Sequence, residues 1–548
     1  MLELKGKEFP SQADIDQSSA YARDLRCYHR ECAERPVHPV VVPTRAKGYC
    51  GQQLGVHIIG PDALDDFIRN MAGKNTARPA LAAAFLLAEA YCPLPSLVKA
   101  ARELFQSGTI RTIHRARAAT DPAVNEISAI IHEAAATRTR HLVLVTGVPG
   151  AGKTLVGLRA VHAHFLDDLS IPRADGKPTA PAVFLSGNGP LVEVLQYELR
   201  LAGGDGKTFV RGVKDYVKRF SAKPGLVPPQ HVLVFDEAQR AFDADRVMTL
   251  HSALPGFTPG KSEPAHFIEF AERIPEWCVV IGLIGSGQEI HVGEEAGIVQ
   301  WRHAVEGANE VRRWQVHGPP ETAPIFSDSQ ADFTESSGLS LNTEIRFHLA
   351  TDLHRFVGQL LEGQTAESNF AIAAALEEQG YHLRITRDLN VARDYLRERY
   401  ADDRDARFGI IASSKDKHLL NFGVPNDFQS TKRVKYGPWY SDDEDSSPYS
   451  CRHLKDVITE FGAQGLELDA ALLAWGSDLR WSEGKWSNSM ARGYRDWSKI
   501  KDAFQLRKNA YRVLLTRGRD ATVVFVPSIR ELDETFFYLA SSGFRELR

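Results

Sequence analysis

Apolar positions in this chain fall into two rhythms. Short unbroken runs at 142–145, 182–186, 231–235 and 278–284 read as strands buried on both faces, and each ends in a glycine-rich or polar turn. Between them, residues 123–136, 158–169 and 191–201 repeat apolar side chains at helical spacing. A second set of the same kind follows, with strands at 381–385, 408–412, 470–475 and 521–526 and helices at 348–361 and 391–400. Strands alternating with helices predict a mostly parallel sheet with helices on its faces, here twice in succession. Ahead of both lie short strands at 2–5, 39–43 and 55–59, a helix that puts Gln17 and Tyr21 on one face, and a helix at 61–71. Amphipathic runs at 80–90 and 97–105 read as helices. The expected organisation is therefore a small α/β segment (1–70), a helical linker (71–120), a first α/β core (121–318) and a second (319–548). Residues 421–450 break the pattern as an excursion from the second core.

The strongest chemistry sits where the first of these strands ends. Gly147-Val148-Pro149-Gly150-Ala151-Gly152-Lys153-Thr154 follows a buried strand and opens a helix. The glycines let backbone N–H groups close on phosphates, Lys153 adds a point charge, and Thr154 offers a hydroxyl to Mg²⁺. A nucleoside triphosphate is the expected ligand. The strand at 231–235 delivers Asp236 and Glu237 to the same sheet edge, one to hold Mg²⁺ and the other to activate water. The strand at 278–284 ends in a glycine-rich turn carrying Gln288, suited to the γ-phosphate or its water. Ser186 and Asn188, on the turn after the 182–186 strand, occupy the edge where open parallel sheets bind ligands. They suit contact with a nucleic-acid strand or an ordinary turn.

Composition narrows the setting. The chain has 548 residues, 43% hydrophobic and 25% charged, with a net charge of −4. That is ordinary for a globular protein of several domains, so any nucleic-acid contact must come from local basic surface. No apolar run is long enough for a membrane span, and the charged start argues against a signal peptide. Six sparse cysteines fit a reducing cytoplasm, and His29, Cys32, His38 and Cys50 match no zinc spacing. Trp481, Trp486 and Trp497 lie among Arg495 and other cations, a mixture that either stacks bases and holds phosphates or packs the second core. The run Asp442-Asp443-Glu444-Asp445 reads as a solvated loop and argues against nucleic acid at that point.

Two resemblances follow from these motifs. Glu3 and Lys5 on a strand, then Gln17 and Tyr21 on a helix, resemble the restriction-endonuclease-like nuclease fold of RecB type. The metal-binding Asp of that fold lies on an upstream strand, and only two residues precede Glu3. The segment reads as a remnant, or as part of a helicase–nuclease whose true start lies upstream. The ordered set 147–154, 184–190, 236–239, 285–289, the Arg346 segment, 459–469 and 514–519 resembles the motifs of superfamily 1 helicases. In detail it is similar to the DNA/RNA helicase domain of the Schlafen-like group. The resemblance implies two RecA-like P-loop NTPase domains in tandem, with ATP and Mg²⁺ between them. It places Lys153, Thr154, Asp236, Glu237 and Gln288 on the first core, Arg346 and Arg517 as arginine fingers from the second, and Glu467 near the nucleotide. The implied activity is ATP-dependent movement on single-stranded nucleic acid, DNA favoured over RNA. An alternative is an ATP-gated switch that engages a protein partner without unwinding.

Overall fold

The computed structural model describes residues 1–74, 81–93, 96–107, 114–147, 151–162, 164–169, 181–204, 209–223, 225–251, 260–285, 297–341, 349–492 and 502–548. The chain forms two compact units, one of Pro95–Arg346 and one that joins Met1–Leu94 to Phe347–Arg548. In the joined unit the first strands are β1 (Leu2–Lys5), β2 (Val40–Pro43), β3 (Cys50–Gln53) and β4 (Val56–Ile59), in the order β1-β2-β4-β3. Only β3 runs antiparallel to its neighbour.

The Pro95–Arg346 unit carries β5 (Arg140–Gly147), β6 (Ala182–Ser186), β7 (Val210–Gly212), β8 (Val232–Asp236), β9 (Cys278–Ile284), β10 (Trp314–Gly318), β11 (Asp332–Glu335) and β12 (Ser340–Leu341). The sheet runs β11-β10-β5-β9-β8-β6-β7, with β12 also beside β5, and every pairing is parallel. Parallel strands need crossovers, and helices such as Lys153–His162, Gly189–Leu201 and Glu263–Arg273 supply them. The unbroken apolar runs are the central strands, with every residue of β6, β8 and β9 buried. Helix Lys153–His162 lies close on this sheet because Gly157 has no side chain there. A Cβ at Gly157 would stand 2.6 Å from Leu283 Cδ1 and 3.0 Å from Phe184. This helix stops at His162 and a 3₁₀ stretch, His164–Leu169, follows, so the expected single helix over 158–169 is two pieces.

A buried histidine pair joins two strands of this sheet. His141 Nδ1 on β5 lies 2.9 Å from His317 Nε2 on β10, and the Thr139 hydroxyl lies 2.8 Å from His141 Nε2. One proton sits between the two rings, so the bond exists only while one ring is neutral. Burial first, and then the charge of His317, bring His141 down to about 4. Glu126 and Glu133 face His317 and oppose part of the same effect on that ring. The folded value lies below that of an unfolded histidine, about 6.5, so the unfolded chain takes up a proton the native pair refuses. The pair's contribution is complete above about pH 6.5 and is lost as pH falls toward 4. Thermal melts between those limits are expected to show a steeper acid-side decline for the native chain than for His141→Asn. Parallel curves would refute this.

In the joined unit the second sheet is β13 (His382–Thr386), β14 (Phe408–Ala412), β15 (Val457–Thr459), β16 (Leu468–Ala474), β19 (Gly518–Phe525) and β20 (Arg545–Glu546), ordered β15-β14-β16-β19-β13-β20 and all parallel. A hairpin of β17 (Arg480–Ser482) and β18 (Lys485–Ser487) stands apart. The N-terminal segment packs onto this core. Helix Gln12–Tyr28 sets Asp16 against Arg384 on β13, with Nε and Nη2 donating at 2.8 and 2.6 Å. Arg23 donates to Asp520 at 2.8 Å and to the Gly380 carbonyl. The 80–90 run forms only a short helix, Ala82–Phe85, and a 3₁₀ turn, Ala88–Ala90, with Leu81 and Leu86 exposed. Its apolar residues were the signal for a helix, but alanines and leucines without a covering surface do not sustain one.

Candidate nucleotide-binding site

Because β5, β6, β8 and β9 are parallel neighbours in one sheet, their C-terminal ends meet at one edge. Gly147, Ser186, Asp236 and Gly285 stand at or just past those ends. Gly152 takes φ +85°, which an L side chain rarely adopts, and turns the chain into helix Lys153–His162. Lys153 Nζ donates to the Gly147 carbonyl at 2.7 Å, and the Thr154 hydroxyl donates to Asp236 Oδ1 at 3.1 Å. The Ser186 hydroxyl donates to Asp236 Oδ2 at 3.4 Å. Ser186 is 1% exposed, which places it under the carboxylate. Asn188 caps helix Gly189–Leu201, its side chain accepting from Leu191 N–H. Pro149, Gly150, Gln288 and Arg346 lie outside the described residues, as do Arg495 and Trp497, while Ala151 is buried at the loop's end.

Asp236 is buried, and burial first, then neighbouring Glu237, push its carboxyl up to about 7; Thr154 and Lys153 pull the other way. A carboxyl strained in this way beside a hydroxyl is a hard-oxygen pair suited to Mg²⁺, whose charge would relieve it. Glu237 follows in left-handed backbone, φ 55°, which turns it out of the strand. Gln239, which strand reading alone would not single out, ties the motifs together. Its Nε2 donates to Glu237 Oε2 at 2.5 Å and its Oε1 accepts from Gly285 N–H at 2.8 Å. A Cβ at Gly285 would stand 3.3 Å from Lys153 Cε, so the β9 turn lies against the lysine stem.

These motifs now have relatives to set beside them. Residues 140–528 match the family described as Schlafen group 3, DNA/RNA helicase domain. The chain belongs to that family. A search of curated proteins found no match. Among solved structures, the helicase nonstructural protein 10 of an arterivirus is 12% identical, over 75% of this chain and 63% of that one, with a TM-score of 0.25. The PRRSV helicase is 11% identical over 73% and 55%, with a TM-score of 0.23. A DEAD box protein from Methanococcus jannaschii is 9% identical over 75% and 88%, also at 0.23. The chain thus spans under two thirds of the length of the two viral helicases.

The remaining residues of interest in this helicase-family chain lie in the joined unit. Arg517 is buried, its guanidinium donating to the carbonyls of Val513 (2.8 Å) and Leu466 (3.3 Å). Glu467 is buried and faces Arg519. Trp486 is buried, donates its indole N–H to the Leu360 carbonyl at 2.8 Å, and packs with Trp475, Trp481 and Tyr538. Trp481 stacks on Tyr538 at 3.8 Å. Both tryptophans therefore serve the core.

Glu3, Lys5, Gln17 and Tyr21 form one connected chain. Lys5 Nζ lies 2.9 Å from Glu3 and donates to Gln17 Oε1 at 2.7 Å, and Gln17 Nε2 donates to the Tyr21 hydroxyl at 3.0 Å. Among the described residues, the one group of three metal-type ligands is Asp16, Glu377 and His382. Arg384 spans both carboxylates of that group and supplies its positive charge. Among the described residues, no helix is long and apolar enough to cross a membrane.

Proposed function

We propose that this chain is an ATP-driven motor of superfamily 1 that moves along single-stranded nucleic acid, DNA favoured over RNA. The observation that carries the reading is the convergence of Lys153, Thr154, Asp236, Glu237 and Gln239 on one sheet edge. Lys153 and the loop N–H groups hold the phosphates, and Glu237, oriented by Gln239, takes a proton from the attacking water. Thr154 and Asp236 would hold Mg²⁺, which would supply positive charge against that of the phosphates. Gln288 senses the γ-phosphate. The resemblance to superfamily 1 gives Arg346 and Arg517 the role of arginine fingers and Glu467 a role toward the nucleotide. For Arg517 this requires exchanging its carbonyl partners for a phosphate. The setting is the cytoplasm. The Glu3–Lys5–Gln17–Tyr21 chain acts in this reading as a packing remnant of a nuclease-like segment.

ATP hydrolysis measured with and without oligo(dT) and oligo(rU) tests the motor. Stimulation by either strand, greater with DNA, is expected. Hydrolysis indifferent to both would end the proposal.

A further inference from the structure

The excursion between β14 and β15 carries the acidic run that speaks against nucleic acid in the sequence. In the fold three of those four acids lie near arginines. Asp443 lies 3.2 Å from Arg407, Glu444 lies 3.5 Å from Arg452, and Asp445 lies 3.9 Å from Arg404. The cations that precede them are not met. Among the described residues, exposed Lys432, Arg433 and Lys435 have no carboxylate within salt-bridge distance, and Lys435 donates to the Tyr449 hydroxyl at 3.1 Å. The nearest acid in sequence, Asp427, is engaged in capping helix Phe428–Thr431 through Gln429 and Ser430.

Aromatic rings share this surface. Phe428 is 72% exposed, with Lys432 Nζ 5.8 Å from its ring centre, and Tyr449 is 38% exposed beneath Lys435. Helix Phe428–Thr431 packs on β15, and the Tyr436 ring lies against Gly462, next to exposed Phe461. An exposed phenylalanine costs solubility and contributes nothing to this core, and its cationic neighbours would repel a basic partner. Exposed rings interleaved with unpaired cations match a ligand that has flat apolar faces and regularly spaced negative charge.

We infer that Phe428, Lys432, Arg433 and Lys435 form a platform that binds single-stranded nucleic acid, the ring stacking a base and the cations holding phosphates. The inference rests on the proposed motor function and names a surface for its strand outside the helicase motifs. Stacking has no sequence preference, as a moving enzyme requires.

The test uses the full chain and fluorescein-labelled oligo(dT) and oligo(rU) of about 20 nucleotides, long enough to cover such a site. Anisotropy titrations are run between about 50 and 200 mM salt. The triple variant Lys432→Ala/Arg433→Ala/Lys435→Ala is expected to bind at least tenfold more weakly at the low-salt end, with a salt slope shallower by about 2. Phe428→Ala is expected to weaken binding roughly 5- to 100-fold, and Phe428→Trp to restore it. Hydrolysis of ATP without nucleic acid should be unchanged in all three, which also reports that they fold. Native affinity and slope in the triple variant would overturn the platform while leaving the motor reading intact. Loss in the triple variant without loss in Phe428→Ala would overturn the single-strand assignment. Failure of the native chain to bind either strand would remove the motor reading and the platform together.

Discussion

Lys153→Ala is expected to reduce ATP hydrolysis to background, and Glu237→Gln to slow turnover by about 10²–10⁴-fold while nucleotide still binds. The two losses differ in kind. Lys153 is the cation that reaches back to the Gly147 carbonyl and also stabilises the Asp236 charge, so its removal loosens the loop and leaves the carboxyl pair less compensated. Glu237→Gln keeps the side-chain shape and an oxygen that can accept from Gln239, so the link through Gln239 to Gly285 survives. What it removes is the ability to take a proton. Steady-state hydrolysis together with binding of a fluorescent nucleotide analogue separates the two cases. Turnover at native rate in either variant would move the catalytic site elsewhere.

The second large effect lies in the joined unit. Asp16→Ala should destabilise the joined unit by about 3–5 kcal/mol, the range for breaking a buried ion pair from one side. Asp16 is fully buried and accepts from Arg384, itself fully buried, and from the Tyr395 hydroxyl at 2.5 Å. Burial works to raise the Asp16 carboxyl, but its surroundings hold it well below the usual carboxylate range. His382 is kept neutral by burial, so Arg384 and Arg399 carry that effect. Without Asp16, Arg384 retains Glu377 and Arg399 retains the nearby Asp520, whereas the Tyr395 hydroxyl loses its acceptor. Denaturant unfolding measures the change. If the variant fails to fold, Tyr395→Phe, which removes the bond donated to Asp16 and the one accepted from Arg399, should cost about 2–3 kcal/mol. A loss below about 1 kcal/mol for Asp16→Ala would show that the network contributes little.

The parallel sheets and the nucleotide edge were legible because their signals are local. β6, β8 and β9 are unbroken apolar runs, Asp236 and Glu237 stand at the end of β8, and Lys153 and Thr154 open the helix that comes after β5 in the chain. What escaped the sequence was long-range. Asp16 reads as a polar position on a helix face, and its partner lies 368 residues away. Trp481 and Trp486 stand among cations in sequence, yet their rings face Trp475 and Tyr538. The acidic run is solvated as it reads, with Asp443, Glu444 and Asp445 exposed, but its neighbours Arg404, Arg407 and Arg452, each from another turn of chain, were not legible. Gln239 showed its residue type but not its two partners, because Gly285 lies on a different strand.

The joined unit closes only when β20, at Arg545–Glu546, pairs with β13. The Pro95–Arg346 unit interrupts it in sequence and is complete on its own chain segment. On a ribosome adding about 5–20 residues per second, Asp16 therefore emerges roughly 20–70 s before Arg384. Throughout that interval the first helix carries a carboxylate destined for the interior with no counter-charge to receive it. The middle unit can finish folding first, while the N-terminal segment waits for β13 to be made.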